Sequence, residues 1–229
     1  MTETERLLRA LDEPTKRARR QAAEALGQLA ASDASIRDGL VSELAVGTPQ
    51  RRWTVAYTLF LAGDRSEHLW PSLLAGLGAD DGDLRWATAR LIVHLDVDDL
   101  GRRFVDAAAT GPREQRKMAL YCLRERGVRT PEIEQCVLRA LEDGEPGVRL
   151  AALSSLAALF VDAIRAGERM AMLLEDPDAG VRRAAAAALG KLGTVGPAVS
   201  DALAAAARGT DTALARAART ALDRLGSAT

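Results

Sequence analysis

The sequence is poor in aromatic residues, in cysteine and in net charge. Aromatic side chains make up only 3% of its 229 residues, so Leu, Ala and Val must build the core, and a hydrophobic fraction of 48% is enough for a sizeable one. With 31 basic and 32 acidic side chains, the chain as a whole has no field that would favour nucleic acid or an anionic membrane. No apolar run approaches the roughly 18 residues of a membrane span.

The side chains that could carry chemistry are few and scattered. Cys122 and Cys136 have neither metal-ligand nor disulfide-framework spacing, and neither His68 nor His94 has a second His or a Cys one helical turn away. The acidic turn at 80–83 precedes a helix, where carboxylates cap free N–H groups. We therefore expect no metal and no cofactor. The acidic N-terminus has no apolar signal core, which favours a cytoplasmic location.

One stretch recurs along the chain. Residues 176–193, DPDAGVRRAAAAALGKLG, combine an acidic turn, a Val-Arg pair and an alanine-rich helix that ends at glycine. Apolar residues follow the arginine at three and seven positions, which is one face of an α-helix. The arginine recurs every 31 to 33 residues, and we call the set the arginine column: Arg19, Arg52, Arg85, Arg116, Arg149 and Arg182. Such a period predicts a repeat architecture.

This pattern resembles the HEAT repeat, in particular the short bacterial type of the phycobilin lyases. The resemblance rests on Asp143 with Val148-Arg149 and on Asp176 with Val181-Arg182, each followed by an Ala- and Leu-rich helix. It implies an all-α fold, a right-handed α-solenoid of about seven helix pairs, each with an outer A helix and an inner B helix. We expect one domain over residues 1–229, with repeats at about 2–31, 35–63, 66–96, 98–127, 130–160, 163–193 and 196–226.

The resemblance also implies a structural role for the arginine column. In the family, this arginine and an acidic residue of the turn link the turn to the B helix, often as a ladder between neighbouring repeats. Here Asp143 and Asp176 lie six residues before Arg149 and Arg182. We expect these side chains to stabilise the fold, because a column present in almost every repeat must serve a need that every repeat shares.

Three other columns of the B helices should face solvent on the inner, concave surface. Helical geometry places the positions equivalent to 183, 187 and 190 opposite the core face. Five of the eight aromatic residues of the chain fall in these columns, with six basic residues and two acidic ones. The predicted binding residues are the aromatic Trp53, Tyr57, Phe60, Trp86 and Tyr121 and the basic Arg20, Arg90, Lys117 and Arg124. Grouped exposed aromatics usually mark an interaction surface.

A protein or peptide partner fits such a surface best. Trp, Tyr and Arg are typical hot-spot residues, and an excess of basic residues favours an acidic segment. The expected function is that of a non-enzymatic scaffold or adaptor. A lyase- or chaperone-type accessory role, as in the phycobilin lyases, is an alternative that only the type of repeat supports, since a fold alone licenses no chemistry.

Nucleic acid is a further alternative, because aromatic rings stack on bases and arginines bind phosphates. The alkylpurine DNA glycosylases are a similar HEAT-like family that uses a Trp- and Arg-bearing concave face together with an Asp. The positions four residues after Trp53 and Trp86 hold Tyr57 and Arg90, so the carboxylate is missing there. The nearest substitutes in the sequence are Glu24 and Asp64.

Overall fold

The computed structural model of the protein describes residues 1–159, 163–193 and 195–226, which form α-helices joined by short turns. Within those ranges the structure has no β-strand, and the all-α fold class predicted from the sequence is confirmed. The helices are α1 (Glu3–Ala10), α2 (Lys16–Ser32), α3 (Ala34–Glu43), α4 (Pro49–Leu61), α5 (Trp70–Leu77), α6 (Gly82–Ile92), α7 (Leu100–Thr110), α8 (Arg113–Arg126), α9 (Pro131–Ala140), α10 (Pro146–Leu159), α11 (Ala163–Ala171), α12 (Ala179–Leu189), α13 (Pro197–Arg208) and α14 (Thr212–Gly226). Short 3-10 turns precede α5 at Glu67–Leu69 and follow α11 at Met172–Glu175.

Capping residues define where many of these helices begin. Thr15, Thr48, Asp81 and Asp178 precede α2, α4, α6 and α12, and each side-chain oxygen accepts a backbone N–H of the first turn. These bonds satisfy donors that a helix start would otherwise leave unpaired. The B helices therefore start where the turn residues of the repeat predict.

Two apolar columns of the B helices supply a large part of the core, together with apolar residues of the other helices such as Leu40, Leu73 and Phe104. The residues three positions after the arginine column are all buried: Ala22, Val55, Thr88, Ala119, Ala152, Ala185 and Ala218. Those seven positions after it are buried as far as repeat six: Leu26, Leu59, Ile92, Leu123, Leu156 and Leu189. Small residues in the first column allow close packing and leucines in the second fill the space, which is how a core almost without aromatic rings is built.

The chain divides into two compact units, Met1–Leu100 and Gly101–Thr229. In unit 1, α2 packs on α1, α3 and α4, and α5 packs on α4 and α6. In unit 2, the B helices α8, α10, α12 and α14 pack on one another in sequence order. The single domain expected over residues 1–229 stays a prediction.

No helix in the described ranges combines the length and the apolar character that crossing a bilayer requires.

Candidate functional site

A cavity of about 400 Å³ lies in unit 1 among the B helices α2, α4 and α6. A volume of this size is typical of ligand sites, which run from about 300 to 1,000 Å³. The lining residues are Lys16, Arg19, Arg20, Gln50, Trp53, Thr54, Tyr57, Leu61, Asp81, Asp83, Leu84, Ala87, Arg90 and Leu91. We refer to this space as the unit 1 cavity.

Two stacked aromatic rings form one wall of the unit 1 cavity. Trp53 and Tyr57 lie one turn apart on α4, with ring centroids 5.4 Å apart and ring planes at 8°. The Trp53 Nε1–H donates to Thr88 Oγ1 on α6 at 2.7 Å, and the Thr88 hydroxyl donates to the carbonyl of Leu84. A polar donor fixed in this way holds the indole in one orientation, which favours a preformed site.

The glycine at position 76 makes room for that indole. A Cβ added at Gly76 on α5 would lie 2.6 Å from Trp53 Cδ1 and 2.7 Å from Thr88 Oγ1, closer than real Cβ contacts allow. The indole edge therefore occupies the space that any other side chain at position 76 would take. Three helices, α4, α5 and α6, thus fix the position of Trp53.

A salt bridge links the N-terminal ends of α2 and α6 at the edge of the unit 1 cavity. The Lys16 ammonium lies 2.7 Å from Asp81 Oδ2 and 3.1 Å from Asp83 Oδ2. Hydrogen bonds from Lys16 to Asp81 and then to Asp83 raise the pKa of the Lys16 ammonium, and the same contact lowers the pKa of Asp81. Asp81 also caps α6, since its Oδ1 accepts from the N–H groups of Asp83 and Leu84.

The arginines that line the cavity differ in whether they already have a hydrogen-bond or ion-pair partner within the protein. Arg19 donates to the carbonyls of Glu13 and Pro14, and Arg20 pairs with Glu24 at 2.8 Å. The side chain of Arg90 has neither a hydrogen bond nor a carboxylate within 4.0 Å among the residues in the described ranges. The exposed guanidinium of Arg90 is therefore available to an anionic group of a ligand.

Of the nine residues predicted to bind, four line the unit 1 cavity: Arg20, Trp53, Tyr57 and Arg90. Phe60 and Trp86 are outside the lining. The Phe60 ring lies beneath the guanidinium of Arg65, whose Cζ is 3.4 Å from the ring centroid. Trp86 is 51% exposed on α6.

The remaining three predicted binding residues belong to unit 2, on α8. Lys117 pairs with Glu114 at 3.5 Å, and the guanidinium of Arg124 lies 5.0 Å from the ring centroid of Tyr121 while donating to Ser154 Oγ. Burial raises the pKa of the Tyr121 hydroxyl. Their cationic groups are thus engaged within the protein, unlike that of Arg90.

The prediction that three columns of the B helices face solvent was partly wrong for one of them. The columns equivalent to 183 and 187 contain no buried residue in the described ranges, but Gly27, Val93 and Gly190 of the third column are buried. A Cβ at Gly190 would lie 2.8 Å from Ala221 Cα, and one at Gly27 would lie 3.0 Å from Leu61 Cβ. These positions lie where neighbouring B helices approach each other most closely, so they form packing contacts.

The arginine column forms ion pairs between successive repeats in unit 2. Arg149 binds both carboxylate oxygens of Asp176, at 2.8 and 2.7 Å, and both side chains are buried. The same two-point contact joins Arg116 to Asp143, at 2.9 and 2.8 Å. Within its own repeat, Arg149 donates to the carbonyl of Asp143 rather than to its carboxylate.

The arginines before and after these two pairs make different contacts. Arg182 pairs with Asp211 at 2.8 Å. The sequence pattern did not identify this partner, because Asp211 lies four residues, not six, before Ala215, which stands where the other repeats have the arginine. In unit 1, Arg85 donates to the carbonyls of Ala79 and Asp80.

In repeat two, the structural role predicted for Arg52 of the arginine column was wrong. The side chain of Arg52 has no hydrogen bond or ion pair with any residue in the described ranges. The adjacent Arg51 binds Glu43 at 2.5 Å, Asp12 at 2.9 Å and the carbonyl of Leu8 at 2.6 Å. Arg51 faces repeat one and its acidic groups, so it makes the contacts between repeats that the pattern assigned to Arg52.

The carboxylates considered for a glycosylase-like site are engaged elsewhere. Glu24 pairs with Arg20, and the nearly buried Asp64 binds the N–H of Ser66 and lies 2.8 Å from His68 Nε2. Neither lines the unit 1 cavity. The carboxylates that do line it, Asp81 and Asp83, are held by Lys16.

Sequence reasoning missed Lys16, Gln50 and Asp81, which line the cavity, and Thr88, which accepts the hydrogen bond of Trp53. Thr88 had a detectable signal, because it is polar in a column that otherwise holds Ala or Val. Asp81 was interpreted as a cap, which it is. Lys16 had no signal, since its partner Asp83 is 67 residues away in the chain.

Neither thiol is poised for reaction. Cys122 is buried, and desolvation raises its pKa to about 12. Burial also raises the pKa of Cys136. Both groups stay protonated near neutral pH, and a protonated thiol is a poor nucleophile and metal ligand. Within the described ranges, no three His, Cys, Asp or Glu side chains come together as metal ligands would.

Comparison with known proteins identifies the repeat. The family model of the HEAT repeat matches residues 170–196, which contain α12 and the turn before it. YibA of Escherichia coli has a similar fold, with 16% identity over 99% of this chain and 93% of its own and a TM-score of 0.57. An engineered protein is similar at 19% identity over 99% of this chain and 69% of its own, with a TM-score of 0.51.

A weaker likeness is to the CpcE–CpcF complex of phycocyanin lyase from Nostoc, at 20% identity over 100% of this chain and 96% of that one. Its TM-score of 0.41 carries no argument about function. A search among curated proteins gives no match. These likenesses show a fold built of helical repeats and say nothing about function.

Proposed function

We propose that this chain, in which residues 170–196 match the HEAT repeat, is a non-enzymatic binding module whose unit 1 cavity takes an acidic, partly apolar peptide segment of a protein partner. The observation that carries the proposal is the free guanidinium of Arg90 beside an apolar cavity with a stacked aromatic wall. An apolar side chain would pack on Trp53 and Tyr57, and an adjacent carboxylate would bind Arg90.

Charge and preorganisation support this choice of ligand. The cavity lining has four basic side chains against two acidic ones, although the chain as a whole carries a net charge of −1. Because Thr88 and Gly76 already fix Trp53, the ligand does not have to order that side chain on binding. Repeat solenoids commonly bind extended segments in this way.

Selection from a random dodecapeptide library tests the proposal. The wild-type protein is expected to enrich peptides in which Asp or Glu lies next to a large apolar residue. Arg90→Glu should reverse the charge preference, so that Lys or Arg replaces the acidic residue. Arg183→Glu is the matched control, because Arg183 is an exposed arginine on the B helix α12 of unit 2, and it should select the same peptides as wild type.

The same set of variants separates a peptide from a nucleic acid. Binding of a fluorescent single-stranded dT20 oligonucleotide is measured alongside the peptides. Oligonucleotide binding that Arg90→Glu abolishes, with no peptide enriched, would replace the peptide proposal with a nucleic-acid one. Identical peptide preferences in wild type and Arg90→Glu would show that the peptide does not bind in the unit 1 cavity.

A second comparison decides between the two tryptophans predicted from the sequence. Trp53 lines the cavity and Trp86 does not. Trp53→Phe, which keeps an aromatic ring but loses the Nε1 donor, should weaken the binding of a selected peptide more than Trp86→Ala. The reverse order would place the binding surface on the exposed face of α6 instead.

A further inference from the structure

The salt bridge between Lys16 and the acidic pair Asp81 and Asp83 places a cationic group and its partners in the lining of the unit 1 cavity. Lys16 is the first residue of α2, and Asp81 and Asp83 are at the start of α6. The bridge therefore connects repeat one to repeat three, and α4 of repeat two lines the cavity between them. We call these three side chains the Lys16 clamp.

The Lys16 clamp is solvent-exposed, so the ammonium can exchange partners at low cost. The side chains of Lys16 and Asp83 are 62% and 90% exposed. Exposed ion pairs of this kind contribute little stability, because water and salt compete with them. A carboxylate of a ligand can replace Asp81 and Asp83 around Lys16 without a large loss of folding free energy.

The structure of the α6 N-terminus supports such an exchange. Asp81 Oδ1 accepts the N–H groups of Asp83 and Leu84, and Lys16 contacts the other oxygen, Oδ2. The capping bonds hold the Asp81 side chain whether or not Lys16 is bound. Helix α6 therefore keeps its cap when Lys16 turns towards a ligand.

The spacing along α6 gives the ligand a length. Arg90 follows Asp83 by seven residues, which corresponds to about 10 Å along an α-helix. A group bound by Arg90 and a group bound by Lys16 would then be separated by about that distance. Two acidic side chains three residues apart on one face of a polyproline II segment are separated by a similar length, about 9 Å.

We propose that Asp81 and Asp83 act as an internal competitor for Lys16, and that the segment bound in the cavity carries two acidic groups about 10 Å apart, one for Arg90 and one that displaces the competitor. This inference rests on the proposed peptide-binding function and adds both a ligand class and an autoinhibitory contact to it. It predicts that removing the two carboxylates tightens binding by more than the loss of a nearby negative charge that does not contact Lys16.

The test uses the full-length protein and a fluorescent peptide recovered from the wild-type library selection, together with versions in which each acidic residue is changed to its amide. Asp81→Asn combined with Asp83→Asn should tighten binding of the parent peptide about twofold to fivefold, the size expected of exposed ion pairs. Asn is a good cap, so the double variant should fold normally. Amidating one of the two acidic residues of the peptide should abolish this gain, and so should Lys16→Gln.

Asp80→Asn is the matched control, because it removes one negative charge from the same turn without a contact to Lys16. Its binding should stay within about 1.5-fold of wild type. An equal gain in Asp80→Asn would show a general charge effect and overturn the competitor. Unchanged or weaker binding in the double variant, or tight binding of peptides that need only one acidic residue, would overturn it too.

Failure of the proposed function gives a different pattern. If wild type enriches no peptide, the selection is repeated on the Asp81→Asn, Asp83→Asn variant. Two-acid peptides recovered there, and not with Asp80→Asn, would support the competitor and explain the inactivity of wild type. If no peptides are recovered with either protein, both the proposed function and the competitor are overturned.

Discussion

The two units of this protein use the same helical repeat in different ways. Unit 2 follows the repeat closely, with three successive ion pairs between an arginine of one repeat and an aspartate of the next. In unit 1, links between repeats instead include Trp53 with Thr88 and Lys16 with Asp81, and both pairs line or support a cavity. Where side chains depart from the repeat pattern, a cavity forms; where they follow it, they link one repeat to the next.

The largest expected effect is in the regular unit. Arg149→Ala removes the partner of the buried Asp176 carboxylate, and breaking a buried pair on one side typically costs about 3 kcal/mol or more. Urea unfolding at pH 7 measures the loss. Arg183→Ala, an exposed arginine on the neighbouring B helix, should change stability by less than about 0.5 kcal/mol. A loss at Arg149 as small as that would contradict the structural role of the column.

Acid should weaken the same ion pairs. Burial by itself raises the pKa of Asp143 and Asp176, but hydrogen bonds from Arg116 and Arg149 together with their charges outweigh it, so both pKa values lie below the ordinary value. A lowered pKa stabilises the fold above the unfolded pKa of about 3.9, and this stabilisation is lost as the pH falls through the folded pKa.

Urea midpoints at pH 5 and pH 2.5 measure this loss. The drop between the two should be smaller in an Arg116→Ala, Arg149→Ala variant than in wild type, because its carboxylates no longer have a cationic partner. Equal drops in the two proteins would mean that other groups cause the acid sensitivity.

Glycine at the contact between α12 and α14 gives the next effect in size. Gly190→Ala places a Cβ 2.8 Å from Ala221 Cα, so the helices must separate, and overpacking of this kind costs about 1 to 3 kcal/mol. Gly39→Ala in α3 is the matched control, because a Cβ there meets nothing within 4 Å. That variant should gain up to about 1 kcal/mol from helix propensity, so the two alanines should shift the urea midpoint in opposite directions.

The smallest effect on stability is expected in unit 1, which contains the cavity. Thr88→Val removes the acceptor of the Trp53 Nε1–H and should cost about 1 kcal/mol, with a larger proportional loss in peptide binding because the indole is no longer fixed. Thr88→Ser keeps the hydroxyl and should retain binding. Equal binding by the Val and Ser variants would show that the hydroxyl does not position Trp53.

Periodicity predicted the parts of the molecule that depend on local spacing. The buried columns beginning at Ala22 and Leu26 follow from helical geometry alone, and so does the exposure of Arg20 and Trp86. The burial of Gly27 and Gly190 could not be derived in that way. It depends on how closely two B helices approach, which the sequence of one helix does not specify.

The site was predictable only in part for the same reason. Trp53, Tyr57, Arg20 and Arg90 were identified because they share one face of the B helices. That Arg90 is free while Arg124 is engaged depends on neighbours in other repeats, here Ser154 and the Tyr121 ring. The long-range partners of Lys16 could not be predicted from the sequence, because a repeat pattern does not specify contacts between repeat one and repeat three.

The most direct test of the account is a charge-swap titration at Arg90. A peptide selected by wild type, and its version with the Arg90-facing acidic residue changed to Lys, are each titrated into wild type and Arg90→Glu. The account predicts that each single change weakens binding at least tenfold and that the combination of both restores most of it, since the pair is then reversed. Losses that simply add, with no recovery in the doubly changed pair, would contradict a ligand carboxylate at Arg90.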